Sequence, residues 1–151
     1  MNVERNWLGS LWIYLAFTIA LHLIWEAAQL PLYTIWSTGT RREIAFAVIH
    51  CTIGDLMIAT LSLVLALMCF GGPAWPRQRF TQVMVSTLVT GIGYTVYSEY
   101  LNSVVRKTWA YSDLMPTLPP FGTGLSPLLQ WIVVPMLGFA AIWLWRRRID
   151  N

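Results

Sequence analysis

The stretch "LGSLWIYLAFTIALHLIWEAAQL", at positions 8–30, decides the fold class. It is almost wholly apolar and long enough to cross a bilayer as a helix, which takes about 20 residues. Similar runs follow, and we predict four spans at 8–30, 44–70, 81–103 and 125–145. Charged residues make up only 11% of the chain, whereas soluble domains carry about 25%. The 151 residues therefore predict one domain, an all-α integral membrane protein whose four transmembrane helices form an antiparallel bundle.

Basic residues near the ends of the spans predict the orientation, because cytoplasmic loops carry an excess of Lys and Arg. We predict both termini on the cytoplasmic side of the inner cell membrane, and we expect the first span to be retained rather than cleaved as a signal peptide. The net charge of +3 comes with no basic stripe suited to nucleic acid. The basic residues are Arg5, Arg77, Arg79, Arg146, Arg147 and Arg148 on the cytoplasmic side, against Arg41, Arg42, Arg106 and Lys107 outside.

Ionisable residues occur inside the predicted spans, where burying a charge in hydrocarbon costs about 2.5 kcal/mol or more. Such residues usually face the bundle interior and mark functional sites. They are His22, Glu26, His50, Asp55 and Glu99. At 1.5 Å per residue, these five and Gln130 lie roughly 6 to 17 Å below the outer surface. We therefore expect one polar pocket in the outer half of the bilayer.

Helical spacing allows these residues to share one interior, because residues three and four apart lie on one face of a helix. Small residues on the same faces allow close helix packing. The predicted inward stripes are Thr18, His22, Glu26 and Gln29; Cys51, Asp55, Ala59, Ser62 and Ala66; Gly91, Thr95, Glu99 and Asn102; and Gln130, Val134, Gly138 and Ala141. His50 lies about 100° to one side of the second stripe.

The outer loop at 104–124 is long for a connection, and long loops are often lids or binding loops. Its prolines and glycines predict fixed bends. Trp109, Tyr111 and Phe121 are placed to form an aromatic roof over the polar pocket.

The first functional hypothesis is an intramembrane acid/base enzyme, of isomerase or cyclase type, acting on an isoprenoid or other lipid-like molecule. A carboxylate buried beside an imidazole can exchange protons near neutral pH. We predict Glu26, Asp55 and Glu99 as catalytic residues. The predicted substrate contacts are His22, Trp25, Gln29, His50, Tyr97, Asn102, Trp109 and Gln130.

The "HLIWE" stretch at 22–26 places His and Glu four residues apart on the first helix, with further acids on later helices. In this respect the chain resembles the emopamil-binding and sterol-isomerase group. The resemblance covers the helix order and this stretch. Asp55 and the Pro-rich outer loop fall outside it, and we carry no activity over from the group.

Two alternatives to an enzyme remain open from the sequence. His22 and His50 lie at similar depths and are placed to ligate one haem iron, or His22, Glu26, His50 and Asp55 to hold a divalent metal ion. Neither CxxCH nor HExxH occurs, so the preferred expectation is no cofactor. The third hypothesis is a non-catalytic protein: a homodimer, a transporter or a subunit of a larger membrane complex.

Overall fold

The computed structural model describes residues 3–150 of the chain, and 7–149 with their side chains. The side chain of Arg5, one of the basic residues used for the orientation, lies outside this range. Helix accounts for 78% of the structure. The elements are α1 (Val3–Gln29), a 3-10 turn (Leu30–Leu32), α2 (Ile35–Thr38), α3 (Arg41–Phe70), α4 (Phe80–Glu99), a π-helix (Tyr100–Val105), β1 (Thr117–Leu118), β2 (Thr123–Gly124) and α5 (Leu125–Asp150).

Local sequence signals explain where the long helices begin and end. Pro31 ends α1, because proline has no N–H to continue the helical hydrogen bonds. Thr40 and Glu43 form a capping box at the start of α3, in which each side chain accepts a hydrogen bond from the other residue's backbone N–H. Gly71 ends α3, and Pro127 lies in the first turn of α5, where proline is tolerated.

The four long helices pack in a ring. Helices α1 and α4 each pack against both α3 and α5. The start of α1 meets the end of α5, where Gly9 lies against Trp145. The end of α1 meets the start of α5, where the Trp25 indole donates a hydrogen bond to Ser126. Helices α1 and α5 therefore run antiparallel. The residues of the four predicted inward stripes are all buried or half-buried, as expected for helix faces that point into a bundle.

The distribution of polarity is inverted relative to a soluble protein. The exposed side chains include Trp12 at 71%, Val89 at 65% and Met68 at 80% of their full accessible area, whereas His22 is fully buried. Three helical segments are long and apolar enough to cross a membrane: Trp7–Leu32, Arg41–Phe70 and Leu125–Ile149. These features support an all-α membrane protein. The fourth span, predicted at 81–103, is not among the three segments and stays a prediction.

The outer loop packs against the short connection between α1 and α3. The backbone N–H of Thr34 donates to the carbonyl of Ala110 at 3.0 Å, and that of Ser112 donates to Leu32 at 2.9 Å. The strands β1 and β2 pair antiparallel and lead into α5. Ahead of the loop, α4 continues as a π-helix, an irregularity frequent at functional sites. The loop is thus fixed by hydrogen bonds beside the polar end of the bundle.

Candidate functional site

A hydrogen-bonded cluster joins three helices at this end of the bundle. Gln130, on α5, is 1% exposed and lies at its centre. Its Nε2 is 2.9 Å from Glu26 Oε1, 2.9 Å from Asp55 Oδ2 and 2.9 Å from His22 Nδ1. His22 Nδ1 is also 3.2 Å from Asp55 Oδ2. Two carboxylates and an imidazole of α1 and α3 therefore converge on one amide of α5.

A second set of contacts connects the cluster to the start of α5. Ser126 Oγ accepts from the Trp25 indole at 3.2 Å and donates to Gln29 Oε1 at 2.8 Å. Gln29 Nε2 then donates to Glu26 Oε1 at 2.8 Å. The chain of hydrogen bonds thus connects Glu26 to the start of α5 and gives its Oε1 a second donor beside Gln130.

The helical repeat explains why these side chains meet. His22, Glu26 and Gln29 lie on one face of α1 because they are four and three residues apart. Gln130 lies one turn into α5, and its long side chain reaches across to α1 and α3. In this apolar interior, each carboxylate requires hydrogen-bond donors, since an unpaired buried charge is strongly destabilising.

Glu99 lies apart from this cluster, beneath the outer loop. It is buried at the end of α4, and the Tyr111 hydroxyl donates a hydrogen bond to its Oε2. The Tyr111 hydroxyl in turn accepts from the Gly124 N–H at 3.0 Å. Burial, and next the neighbouring Glu99 carboxylate, raise the pKa of the Tyr111 phenol, so that it stays a proton donor. The Tyr33 ring lies against that of Tyr111, with centroids 5.5 Å apart, and Tyr33 is within electrostatic reach of both Glu99 and Glu26.

His50 does not join the cluster. It is exposed on the outer side of α3 and stacks on Phe46, with ring centroids 5.4 Å apart. The expected placement of His50 in the pocket is therefore not what the structure shows, because His50 lies about 100° to one side of the stripe that contains Cys51 and Asp55, and this offset directs it out of the bundle. The haem and metal hypotheses lose the facing pair His22 and His50. Within residues 3–150, no group of three His, Cys, Asp or Glu side chains has metal-site spacing.

Three other predicted contact residues also lie outside the cluster. Tyr97 is exposed beside another tyrosine on the outer face of α4. Asn102 donates to the Ser98 carbonyl at 2.9 Å and so supports the π-helix. Trp109 is half-buried in the outer loop, and its indole lies beside the Glu99 carboxylate. Phe121, from the predicted roof, is half exposed.

Sequence reasoning missed Ser126 and Tyr33 as members of the site. Ser126 had a readable signal, since it lies four residues before Gln130 and hence on the same face of α5. Tyr33 had none, because its place is set by the pairing of two loops, an isolated bridge between Tyr33 and Tyr111.

No known protein family, curated protein or solved structure matches this chain. The likeness of the "HLIWE" stretch to sterol isomerases therefore stands on that stretch and the helix order alone.

Proposed function

We propose that this chain is a membrane protein that binds an apolar, lipid-like small molecule at the His22, Glu26, Asp55 and Gln130 cluster, and acts on it by acid/base chemistry. One observation carries the proposal: two carboxylates and an imidazole lie within 2.9 Å of a single amide nitrogen in the interior of the helix bundle. Two acids and a base that compete for few hydrogen-bond donors are favoured to take up and release protons. Acid/base catalysis requires groups of this kind.

The surroundings of the cluster favour an apolar substrate. The exposed surface of the helices is apolar, so a molecule dissolved in the bilayer reaches the protein without crossing water. Asp55 is the least buried member, with 14% of its side chain accessible against 0% for His22. Entry of the polar group of a substrate is therefore expected along α3, beside Asp55.

The proposed function is tested by removing the carboxylates of the cluster and measuring whether the protein still holds an apolar molecule. Asp55→Asn and Glu26→Gln keep the shape of the side chain but remove the carboxylate. Organic extracts of the protein, purified in polymer-bounded membrane discs, are compared by mass spectrometry. We expect one apolar molecule, near one per protein, in the wild type and at least tenfold less in both variants.

Asp113→Asn is the matched control, since Asp113 is an exposed acid of the outer loop. It is expected to retain the molecule at the wild-type level. If wild type and all three variants carry only bulk membrane lipids in the same proportions, the proposed function is wrong.

We further propose that α4 is the fourth span and that both termini are cytoplasmic. Its 20 residues extend about 30 Å, the thickness of the hydrocarbon core. It packs against α3 and α5, which are both long and apolar enough to span, and it presents Val85 and Val89 outward. A helix held between two spans cannot leave the bilayer without breaking both contacts.

Labelling of single cysteines tests the topology. After replacement of Cys51 and Cys69, one cysteine is introduced as Gln78→Cys or Asp113→Cys, both at exposed loop positions. A membrane-impermeant maleimide is expected to label position 113 in intact cells and position 78 only after permeabilisation. Labelling of both from one side would rule out four spans.

A further inference from the structure

Gln130 offers two N–H bonds to three neighbouring acceptors. A primary amide carries two hydrogens on nitrogen, yet Nε2 is 2.9 Å from each of Glu26 Oε1, Asp55 Oδ2 and His22 Nδ1. Toward an amide nitrogen, a carboxyl oxygen can only accept, whereas an imidazole nitrogen carries either a hydrogen or a lone pair. Both hydrogens are therefore assigned to the two carboxylates, and His22 Nδ1 receives none from Gln130.

The contact between His22 and Asp55 then fixes the imidazole proton. Nδ1 and Oδ2 are 3.2 Å apart, and two lone pairs at this distance repel each other, so one hydrogen lies between them. Because the same Asp55 oxygen already accepts a hydrogen bond from Gln130, we assign the hydrogen to Nδ1. In a neutral histidine the other ring nitrogen, Nε2, is then an acceptor.

His22 Nε2 has no partner in the described part of the chain. The residue is fully buried, and Nε2 itself is enclosed without a hydrogen bond. One side of the ring lies against Trp131, with centroids 5.3 Å apart. Since buried polar atoms are nearly always hydrogen-bonded, a free acceptor at the edge of this hydrogen-bonded cluster marks the position for a ligand's donor group.

We propose that His22 Nε2 is the atom that takes the ligand, by accepting a hydrogen bond from the hydroxyl group of an apolar alcohol. Asp55 is the positioning residue, which holds the proton on Nδ1 and so keeps Nε2 free. The proposal rests on the proposed function and deepens it. It changes the roles expected from the sequence, in which Asp55 was a catalytic residue and His22 a substrate contact. Here His22 contacts the ligand, and Asp55 acts only through His22.

Nitrogen NMR reads the position of the proton directly. The chain has two histidines, so His50→Gln, at an exposed position, leaves His22 as the single imidazole. With 15N-labelled histidine in lipid discs, we expect hydrogen on Nδ1 and none on Nε2. Asp55→Asn is expected to move the hydrogen to Nε2 in part of the molecules. The tautomer is read in the His50→Gln protein, so the test does not depend on the folding of the Asp55 variant.

Farnesol, an isoprenoid alcohol, and farnesane, its saturated hydrocarbon, serve as ligand probes. Farnesol is expected to shift the Nε2 resonance of His22 in a saturable manner, whereas farnesane leaves it unchanged. If the Nε2 resonance shows contact with water and does not respond to farnesol, the hydrogen-bond donor is water. The proposal of an alcohol ligand would then be wrong.

A hydrogen found on Nε2 in the His50→Gln protein would overturn the whole inference. The proposed function would survive that result if an apolar molecule still co-purifies with the wild type and is lost from Asp55→Asn. The two failures are therefore distinguishable.

Discussion

Replacement of Gln130 by leucine removes the donor on which the polar cluster depends. Gln130 donates to Glu26 and Asp55, each at 2.9 Å. Hydrogen bonds to charged groups contribute about 1.5–3 kcal/mol each. Interhelical hydrogen bonds in membrane proteins are weaker, about 0.6 kcal/mol on average and about 1.7 at most. Since Gln130→Leu also leaves two buried carboxylates short of donors, we expect a loss of about 2 to 4 kcal/mol in the free energy of unfolding.

The assay is unfolding in mixed micelles of increasing denaturing detergent, followed by tryptophan fluorescence and circular dichroism. Gln82→Leu is the control, because Gln82 is exposed on the outer face of α4. Its effect is expected to stay within about 0.5 kcal/mol. Equal stabilities of the Gln130 and Gln82 variants would refute the view that Gln130 holds the cluster together.

Three further substitutions test the surroundings of the site: two alter helix packing and one removes a hydrogen bond. A Cβ at Gly91 would lie 2.4 Å from Trp131 Cε3, so Gly91→Ala is expected to destabilise by about 1–3 kcal/mol, more than the gain in helix propensity of about 1 kcal/mol. Gly93→Ala meets open space and should be neutral or stabilising; equal unfolding midpoints for the two variants would contradict this. Tyr111→Phe removes the hydrogen bond to Glu99, so the outer loop should be cleaved faster in limited proteolysis, and an unchanged cleavage rate would contradict the proposed role of that bond.

The inward faces of the helices could be predicted from sequence because they depend on the helical repeat alone. Thr18, His22, Glu26 and Gln29 recur every three or four residues, and all four are buried. The polarity contrast in a membrane makes such a stripe easier to read than a soluble core. In a membrane, polar and ionisable residues are the ones that have to face the bundle interior, so their positions alone indicate the inward face.

The position of a residue at the edge of a stripe could not be predicted. His50 lies about 100° to one side of the stripe that contains Asp55, and whether such a residue faces in or out depends on how far α3 rotates against its neighbours. That rotation is set by side chains of other helices, and here it leaves His50 exposed. The central place of Gln130 in the cluster could not be predicted either, because its contacts with both α1 and α3 depend on how the helices are assembled.

The contacts of the loops were beyond sequence reasoning. Tyr111 has no periodic pattern around it, and its partner Glu99 comes twelve residues earlier, on α4. Two loops that are far apart in the chain meet through Thr34 and Ala110. Such pairing follows from the assembled bundle, which brings the loop ends together, and not from local propensity.

The choice of an amide at position 130 bears on the function. A lysine or arginine there would neutralise the Glu26 and Asp55 carboxylates and leave no reason for them to change protonation. Glutamine donates hydrogen bonds without supplying charge, so the negative charge of the carboxylates can be balanced only by a protonated His22 or removed by protons bound to the carboxylates themselves. Helix packing alone could use a pair of amides, such as Gln29 and Gln130, at lower cost of burial. A cluster that keeps two acids beside one base, with an uncharged donor between them, is suited to exchange of protons.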